Sequence, residues 1–213
     1  MKLIQAIVGF LLLTTVGHAH SSDLDSLDHF LEINGVPSEK NSGHLWQGDP
    51  KAQYFENLIQ EHSIRRVVEI GFCFGHSSEV FLQSSSEIEV LSFDLMSHWY
   101  CFTGKQYIDL KYPNRHQLVR GDSTKTVPHY RRKHQNEKFD LILIDGGHSY
   151  EVALADLLNM QHFAKEDTIL IMDDTEYGPV NRAWEKCIAD GLVEEFERFS
   201  SFGMGWAAGR YIK

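Results

Sequence analysis

Two groups able to move a proton or hold a cation stand close together in the segment Phe139 to Tyr150, FDLILIDGGHSY. An apolar run beginning at Leu141 ends on the carboxylate of Asp145, two glycines follow, and His148 stands three residues beyond Asp145. A second apolar run, Ile169 to Met172, ends on Asp173 and Asp174. Buried strands commonly deliver reactive groups to turns at their carboxyl ends, above an α/β sheet. Three carboxylates at two such tips offer hard oxygen ligands, the preference of Mg²⁺ and similar divalent cations. A histidine such as His148 suits proton removal near neutrality, the unperturbed imidazole of that residue type titrating at about 6.5. The plainer alternatives are a cap on the next helix for His148 and a turn cap for Asp173 and Asp174.

These tips need a sheet to carry them. Strand-like runs fall at Arg66–Ile70, Val90–Asp94, Gln117–Arg120, Phe139–Asp145 and Thr168–Asp174, with helical segments at Ser77–Gln83, Ser149–Phe163 and Val180–Asp190. Alternation of this kind predicts an α/β fold, a parallel sheet with helices on both faces. Asp49 to Glu61 has a helical spacing of apolar residues at Tyr54, Phe55, Leu58 and Ile59, with Asp49 as N-cap and Pro50 in the first turn. Val193–Phe199 and Gly205–Ile212 lie too close together for a helical crossover and predict an antiparallel hairpin finishing the sheet.

The first strand runs into a second chemical feature, Glu69-Ile70-Gly71-Phe72-Cys73-Phe74-Gly75-His76-Ser77. Gly71 and Gly75 allow close backbone approach, and the helix start behind them offers free N–H groups to an anion. The next strand ends on Asp94, placed to hold a ribose diol. A dinucleotide pyrophosphate needs a G-x-G core that this turn lacks; the step from Gly71 to Gly75 suits the amino-acid end of S-adenosylmethionine (SAM).

With these motifs the chain resembles the class I SAM-dependent methyltransferases, in particular the small-molecule O-methyltransferases that include catechol O-methyltransferase. The likeness runs from about Gly48 to Lys213. It is carried by Gly48-Asp49-Pro50-Lys51-Ala52-Gln53, Glu69 to Ser77, Phe93-Asp94, Gly121-Asp122-Ser123-Thr124 and Asp173-Asp174. The segment IDGGHSYEVALADL is also similar to a widespread methyltransferase family sharing D-G-x-H-x-Y (methyltransferase domain 24-type). The resemblance implies a Rossmann-like, seven-stranded, mostly parallel sheet with an antiparallel last strand. It implies a cofactor site of Glu69, Gly71, Gly75, Ser77, Asp94, Asp122, Ser123 and Asp145, with Ser77 at the methionine carboxylate, Asp94 on the ribose and Ser123 near the adenine. Asp145, Asp173 and Asp174 would hold Mg²⁺ or another divalent cation, and Asp145 and His148 would be catalytic. The acceptor would be a small hydroxylated molecule. Catechol enzymes carry asparagine at the position of Asp174 and lysine at that of His148, whereas some sugar-hydroxyl methyltransferases use histidine in a D-x-x-H arrangement. The segment Phe199 to Trp206 offers no match to a later acidic residue that orients the second catechol hydroxyl. Trp46, Trp99, Tyr100, Tyr177 and Trp206 are candidates to wall an acceptor pocket. Rival readings are a methyltransferase that works without metal, one with a nitrogen acceptor, and a non-catalytic binding protein on the same fold.

At 213 residues and 42% hydrophobic content the chain supports one full core. Its 20 Lys and Arg against 30 Asp and Glu give a net charge of −10, which disfavours a nucleic-acid role. The basic run Tyr130 to His134 reads as a solvated loop or helix end. Met1-Lys2, the apolar stretch Leu3 to Val16 and Gly17-His18-Ala19 read as a secretory signal peptide over residues 1–19. The expected organisation is therefore a signal peptide, a polar arm or lid over residues 20–44, and a methyltransferase domain over 45–213, in the secretory pathway, secreted or lumenal. An anchor leaving the domain cytosolic is the alternative; no stable membrane span is expected from so short a stretch. Cys73, Cys101 and Cys187 allow at most one disulfide and read as small buried hydrophobes.

Overall fold

The computed structural model describes residues 24–36, 45, 48–200 and 203–212. The expected signal peptide and Trp46 lie outside the described residues. The chain runs α1 (Leu27–Ile33), α2 (Pro50–His62), β1 (Arg66–Ile70), α3 (His76–Ser84), β2 (Glu89–Asp94), α4 (Trp99–Lys111), β3 (His116–Arg120), α5 (Ser123–Lys133), β4 (Phe139–Ile144), α6 (Tyr150–Met160), β5 (Ala164–Asp173), α7 (Gly178–Ala189), β6 (Val193–Phe199) and β7 (Trp206–Tyr211). The seven strands form one sheet in the order β3-β2-β1-β4-β5-β7-β6. β1 to β5 are parallel, and β7 runs antiparallel between β5 and β6. The strand order reverses between β1 and β4, which opens a crevice above their carboxyl ends, the usual ligand site of such sheets.

Side-chain alternation along the strands supplies two cores. Val67, Leu141, Leu143, Ile169 and Ile171 face one way, against Phe30 of α1, Phe55 of α2, Phe81 of α3 and Tyr107 of α4. Val68, Ile70, Ile142, Ile144 and Leu170 face the other, against Val127 of α5, Leu157 of α6 and Trp184 of α7. Burying each large apolar side chain contributes about 1.5–3 kcal/mol, so these two layers fix the sheet that carries the tips. The expected strands, the closing hairpin and α2 with its first-turn Pro50 are all present.

Three helices depart from the sequence expectation. Part of the polar arm forms α1, capped by the Ser26 hydroxyl, which accepts from the His29 N–H, and anchored by buried Leu27, Phe30 and Leu31. α4 and α5 fill the two crossovers around β3. The basic run at the end of α5 is a helix end, but Tyr130 within it is buried against Phe93. All three cysteines are free; Cys101 and Cys187 are buried and Cys73 is half-buried. Among the described residues no helix is long and apolar enough to cross a membrane.

Candidate active site

β4 is apolar on both faces and ends on Ile144; the Asp145 N–H then donates to the Ile70 carbonyl at 2.8 Å, holding the two tips side by side. Gly71 makes this approach possible. Its φ is 103°, and a Cβ there would lie 1.8 Å from the Asp145 carbonyl oxygen. The same residue therefore serves the cofactor turn and the placement of the catalytic turn. Gly75, at φ 97°, caps α3 and packs against the Phe72 ring, where a Cβ would lie 2.8 Å away.

At the reactive tips, the Ser149 hydroxyl caps α6 by accepting from the Val152 N–H, leaving His148 exposed on the preceding turn. β5 ends on Asp173, and Asp174 follows at φ 57°. Few residues other than glycine adopt that conformation, aspartate being among the more tolerant. The turn brings Asp174 Oδ2 to 2.7 Å from His148 Nε2. Ligand atoms of Asp145, His148 and Asp174 all lie within 4.8 Å of one another. Asp173 is oriented differently: its Oδ2 accepts from Lys51 Nζ at 2.5 Å and its Oδ1 accepts from the Asp174 N–H at 2.9 Å. The compact three-residue group thus has His148 where the sequence reading has Asp173.

Electrostatics at this cluster are strained. Burial, and then the negative charge of Asp173, hold the Asp145 carboxyl well above the usual carboxylate range, and Lys51 opposes the shift. Asp174 is raised for the same two reasons and drawn back by His148 and Lys51. For Lys51, burial works against the ammonium, but Asp173 outweighs it and the pKa is raised. Two carboxylates and an imidazole within this span fit a divalent cation, which would also relieve the like-charge crowding that raises Asp145 and Asp174.

On the β1–β2 side, Glu69, Gly71, Gly75, Ser77 and Asp94 converge on the turn between β1 and α3, while Asp122 and Ser123 stand at the start of α5. Asp94 Oδ2 accepts from the Phe72 and Cys73 N–H groups, both at 2.9 Å, and Oδ1 accepts from the Met96 N–H at 2.6 Å. A carboxylate has about four acceptor positions, so Asp94 anchors the glycine turn and keeps about one position for a ribose. Glu69, expected in the cofactor site, has no accessible surface. It lies one layer beneath and accepts from the Ser77 hydroxyl at 2.6 Å, the Ser92 hydroxyl at 2.6 Å and the Ser78 hydroxyl at 2.5 Å. The Ser77 hydroxyl is therefore already engaged, leaving the start of α3 to meet an anion through its backbone. Asp122 caps α5, accepting from the Thr124 N–H at 3.0 Å, and Ser123 is buried beside it. Cys73 has its thiol pushed up to about 12, first by burial, which disfavours the thiolate.

Of the candidate pocket aromatics, Trp206 is buried in the core. Tyr100 stacks between Phe74 and His98. Trp99 is exposed, and Tyr177 is exposed with its ring centroid 5.9 Å from that of His148. Tyr177 is thus the aromatic that stands beside a reactive group. Two contributors went unread in the sequence. Lys51 has a helix-start motif as its only signal. Asp156 lies in α6 and has no accessible surface; no well-formed hydrogen bond reaches its carboxylate oxygens, although the Ser123 hydroxyl is near enough to draw its pKa down.

A family model described as a methyltransferase domain matches residues 68–175, just over half the chain and the stretch that holds both halves of the crevice. Among solved structures, the O-methyltransferase from Bacillus cereus in complex with SAH superposes with a TM-score of 0.70 at 16% identity, covering 92% of this chain and 94% of that one. The SAH-bound methyltransferase PaMTH1 of Podospora anserina gives 0.69 at 13% identity, with 99% and 100% covered. The TDP-rhamnose 3′-O-methyltransferase CalS11 of calicheamicin biosynthesis gives 0.64 at 18% identity, with 91% and 96% covered. At these identities the likeness shows the fold. No curated protein matches the chain.

Proposed function

The chain belongs to the methyltransferase-domain family matched over residues 68–175, and from that premise we propose that this SAM-dependent methyltransferase transfers its methyl group to a hydroxyl of a small molecule. The observation that carries the acceptor chemistry is the group of Asp145, His148 and Asp174, with ligand atoms within 4.8 Å of one another at the tips of β4 and β5. Facing it across the strand-order reversal is the Gly71–Gly75 turn.

The cofactor supplies an electrophilic methyl group on a sulfonium. The turn and the backbone at the start of α3 would receive its amino-acid end, the remaining acceptor position of Asp94 a ribose hydroxyl, and Asp122 and Ser123 the adenine side. Asp145 and Asp174 are the side chains that would hold a divalent cation, whose bound charge lowers the pKa of an acceptor hydroxyl. His148 is exposed, held by Asp174 at 2.7 Å, and accepts the hydroxyl proton. Once His148 holds that proton, the acceptor oxygen would be free to take the methyl group, which the cofactor would give up with its carbon–sulfur bond to become a neutral thioether. Holding the two reactants in line contributes much of the rate.

The rhamnose substrate named for CalS11 and the D-x-x-H arrangement here support a sugar-like hydroxyl over a catechol as acceptor. The direct 2.7 Å contact of Asp174 with His148 favours a second reading, in which this pair alone provides the base and no metal takes part. Calorimetry with SAM and transfer assays over sugar and catechol acceptors, with Mg²⁺ and with EDTA, separate the two. Asp145→Ala is expected to lower transfer by about 10³-fold or more while SAM still binds. Full turnover of the wild type in EDTA would leave the His148–Asp174 pair alone, and full turnover of the variant would remove Asp145 from the chemistry. For the N-terminus the proposal remains a cleaved signal peptide, tested by finding the mature chain beginning near His20. Because SAM is made in the cytosol, an uncleaved chain facing the cytosol is the outcome that overturns it.

A further inference from the structure

Lys51, from the start of α2, places a positive charge against this acidic centre. It is the second residue of α2, following Pro50. A cation in a first helical turn sits at the positive end of the helix dipole, so the position is unfavourable for the helix itself. Its Nζ is 2.5 Å from Asp173 Oδ2, and the Asp173 side chain is only 7% exposed. The ammonium also lies 5.7 Å from the centroid of the Trp206 ring, whose residue pairs with Asp173 across β5 and β7. Lys51 is thus held in place by an acid on one side and an aromatic face on the other.

We propose that Lys51 is a resident counter-ion of the reactive centre: it competes with a divalent cation for Asp173 and sets the charge that the centre presents to the acceptor. This rests on the metal-assisted reading of the site. Asp145, Asp173 and Asp174 together carry three negative charges, and Lys51 with one divalent ion brings the sum to zero. An acceptor oxygen losing its proton then meets a neutral centre. Without Lys51 the same centre binds its divalent ion more tightly, yet keeps a net negative charge that opposes the developing oxyanion. Metal affinity and turnover therefore move in opposite directions when the ammonium is removed, which a merely structural lysine would not produce.

The experiment titrates the full-length protein with manganese chloride by calorimetry and measures methyl transfer in parallel. Lys51→Met is expected to bind Mn²⁺ about 10- to 100-fold more tightly, the effect of removing one positive charge a few ångströms away, and to turn over at least about 10-fold more slowly. Lys51→Arg, which keeps the charge, should bind Mn²⁺ within about threefold of the wild type. In the Asp173→Asn background, where the competition for that carboxylate is gone, the gain from Lys51→Met should shrink. A Lys51→Met protein that is folded by its melting curve and binds Mn²⁺ no more tightly than a binding-competent wild type overturns the proposal. If neither protein binds Mn²⁺, the metal-assisted reading fails with it, so wild-type binding tells the two failures apart.

Discussion

On the β1–β2 side of the crevice each carboxylate has its donors, Glu69 from three serine hydroxyls and Asp94 from three backbone N–H groups. On the β4–β5 side, Asp145, Asp173 and Asp174 crowd around one lysine and one histidine. The first arrangement is a finished piece of scaffold: its acids hold the glycine turn and α3 rigid before any ligand arrives. The second is electrostatically incomplete: burial raises Asp145 and Asp174 first and the charge of Asp173 raises them further, whereas Glu69, also raised by burial, is drawn back by three serine hydroxyls. Unrelieved like charge of this kind clusters where a site is built for a cation or a proton. A chain of identical fold can therefore place acids at four strand tips and use only some of them for chemistry.

Gly71 joins the two halves, and substituting it is the harshest test of whether they are separable. In Gly71→Ala the new Cβ would collide with the Asp145 backbone carbonyl, 1.8 Å away, at a φ of 103° that side chains rarely adopt. Neither neighbour is a flexible side chain, so β1 and β4 must part. Stability in urea is expected to fall by more than about 4 kcal/mol, the range reserved for backbone clash and lost packing. A variant that unfolds near the wild-type midpoint would mean that the halves are not braced through this contact.

The next test is directed at the cofactor half alone. Glu69→Ala strands the Ser77 hydroxyl beneath the turn, where the glutamate has no accessible surface, and leaves the Ser78 and Ser92 hydroxyls with His116 Nε2 and each other as partners. The expected loss is about 3 kcal/mol from unsatisfied buried polar groups and the space left behind, together with weaker SAM binding. Glu69→Gln, which keeps the shape and one acceptor, should cost less. If the alanine variant lost SAM binding with unchanged stability, Glu69 would be a ligand and the two sides of the crevice would not differ in this way.

Most of the sheet was legible because buried parallel strands such as FDLILI are apolar on both faces and end abruptly on their functional residues. The helices around β3 were not. In α4 the buried set Cys101, Gly104, Tyr107 and Ile108 has the right spacing, but exposed Trp99, Phe102 and Leu110 widen the stripe until it has no clear face. In α5, Pro128 lies inside the helix and only Val127 and Tyr130 are apolar and buried. α1 did carry a signal, Leu27, Phe30 and Leu31 behind a capping Ser26, diluted by the polar residues around it. At the site, residue types were readable and partners were not. The ion pair of Lys51 with Asp173 joins positions 122 residues apart, which no local pattern encodes.

Asp156 gives the mildest test and the one with a direction in pH. It is buried where the halves meet: its Oδ2 lies 3.1 Å from where a Gly146 Cβ would be, and the Ser123 hydroxyl is close enough to draw its pKa down part of the way. Burial nevertheless pushes that pKa from 3.8 up to about 7. Below pH 3.8 the carboxyl is protonated in the folded and the unfolded chain alike, so it contributes no pH dependence there. Between pH 3.8 and about 7 the unfolded chain releases the proton while the folded chain keeps it, so stability falls as pH rises. The slope approaches about 1.4 kcal/mol per pH unit and sums to at most about 4 kcal/mol. Asp156→Asn removes this slope. Subtracting its urea-unfolding curve from that of the wild type cancels the other titrating groups. The difference should favour the variant by about 2 kcal/mol above pH 7, once the cost of burying an amide is set against the gain, and should shrink or reverse near pH 4. A difference independent of pH would mean that Asp156 gains donors from the Ser123 and Gly146 turns in solution, and that the cofactor half extends its fully satisfied character right up to the catalytic turn.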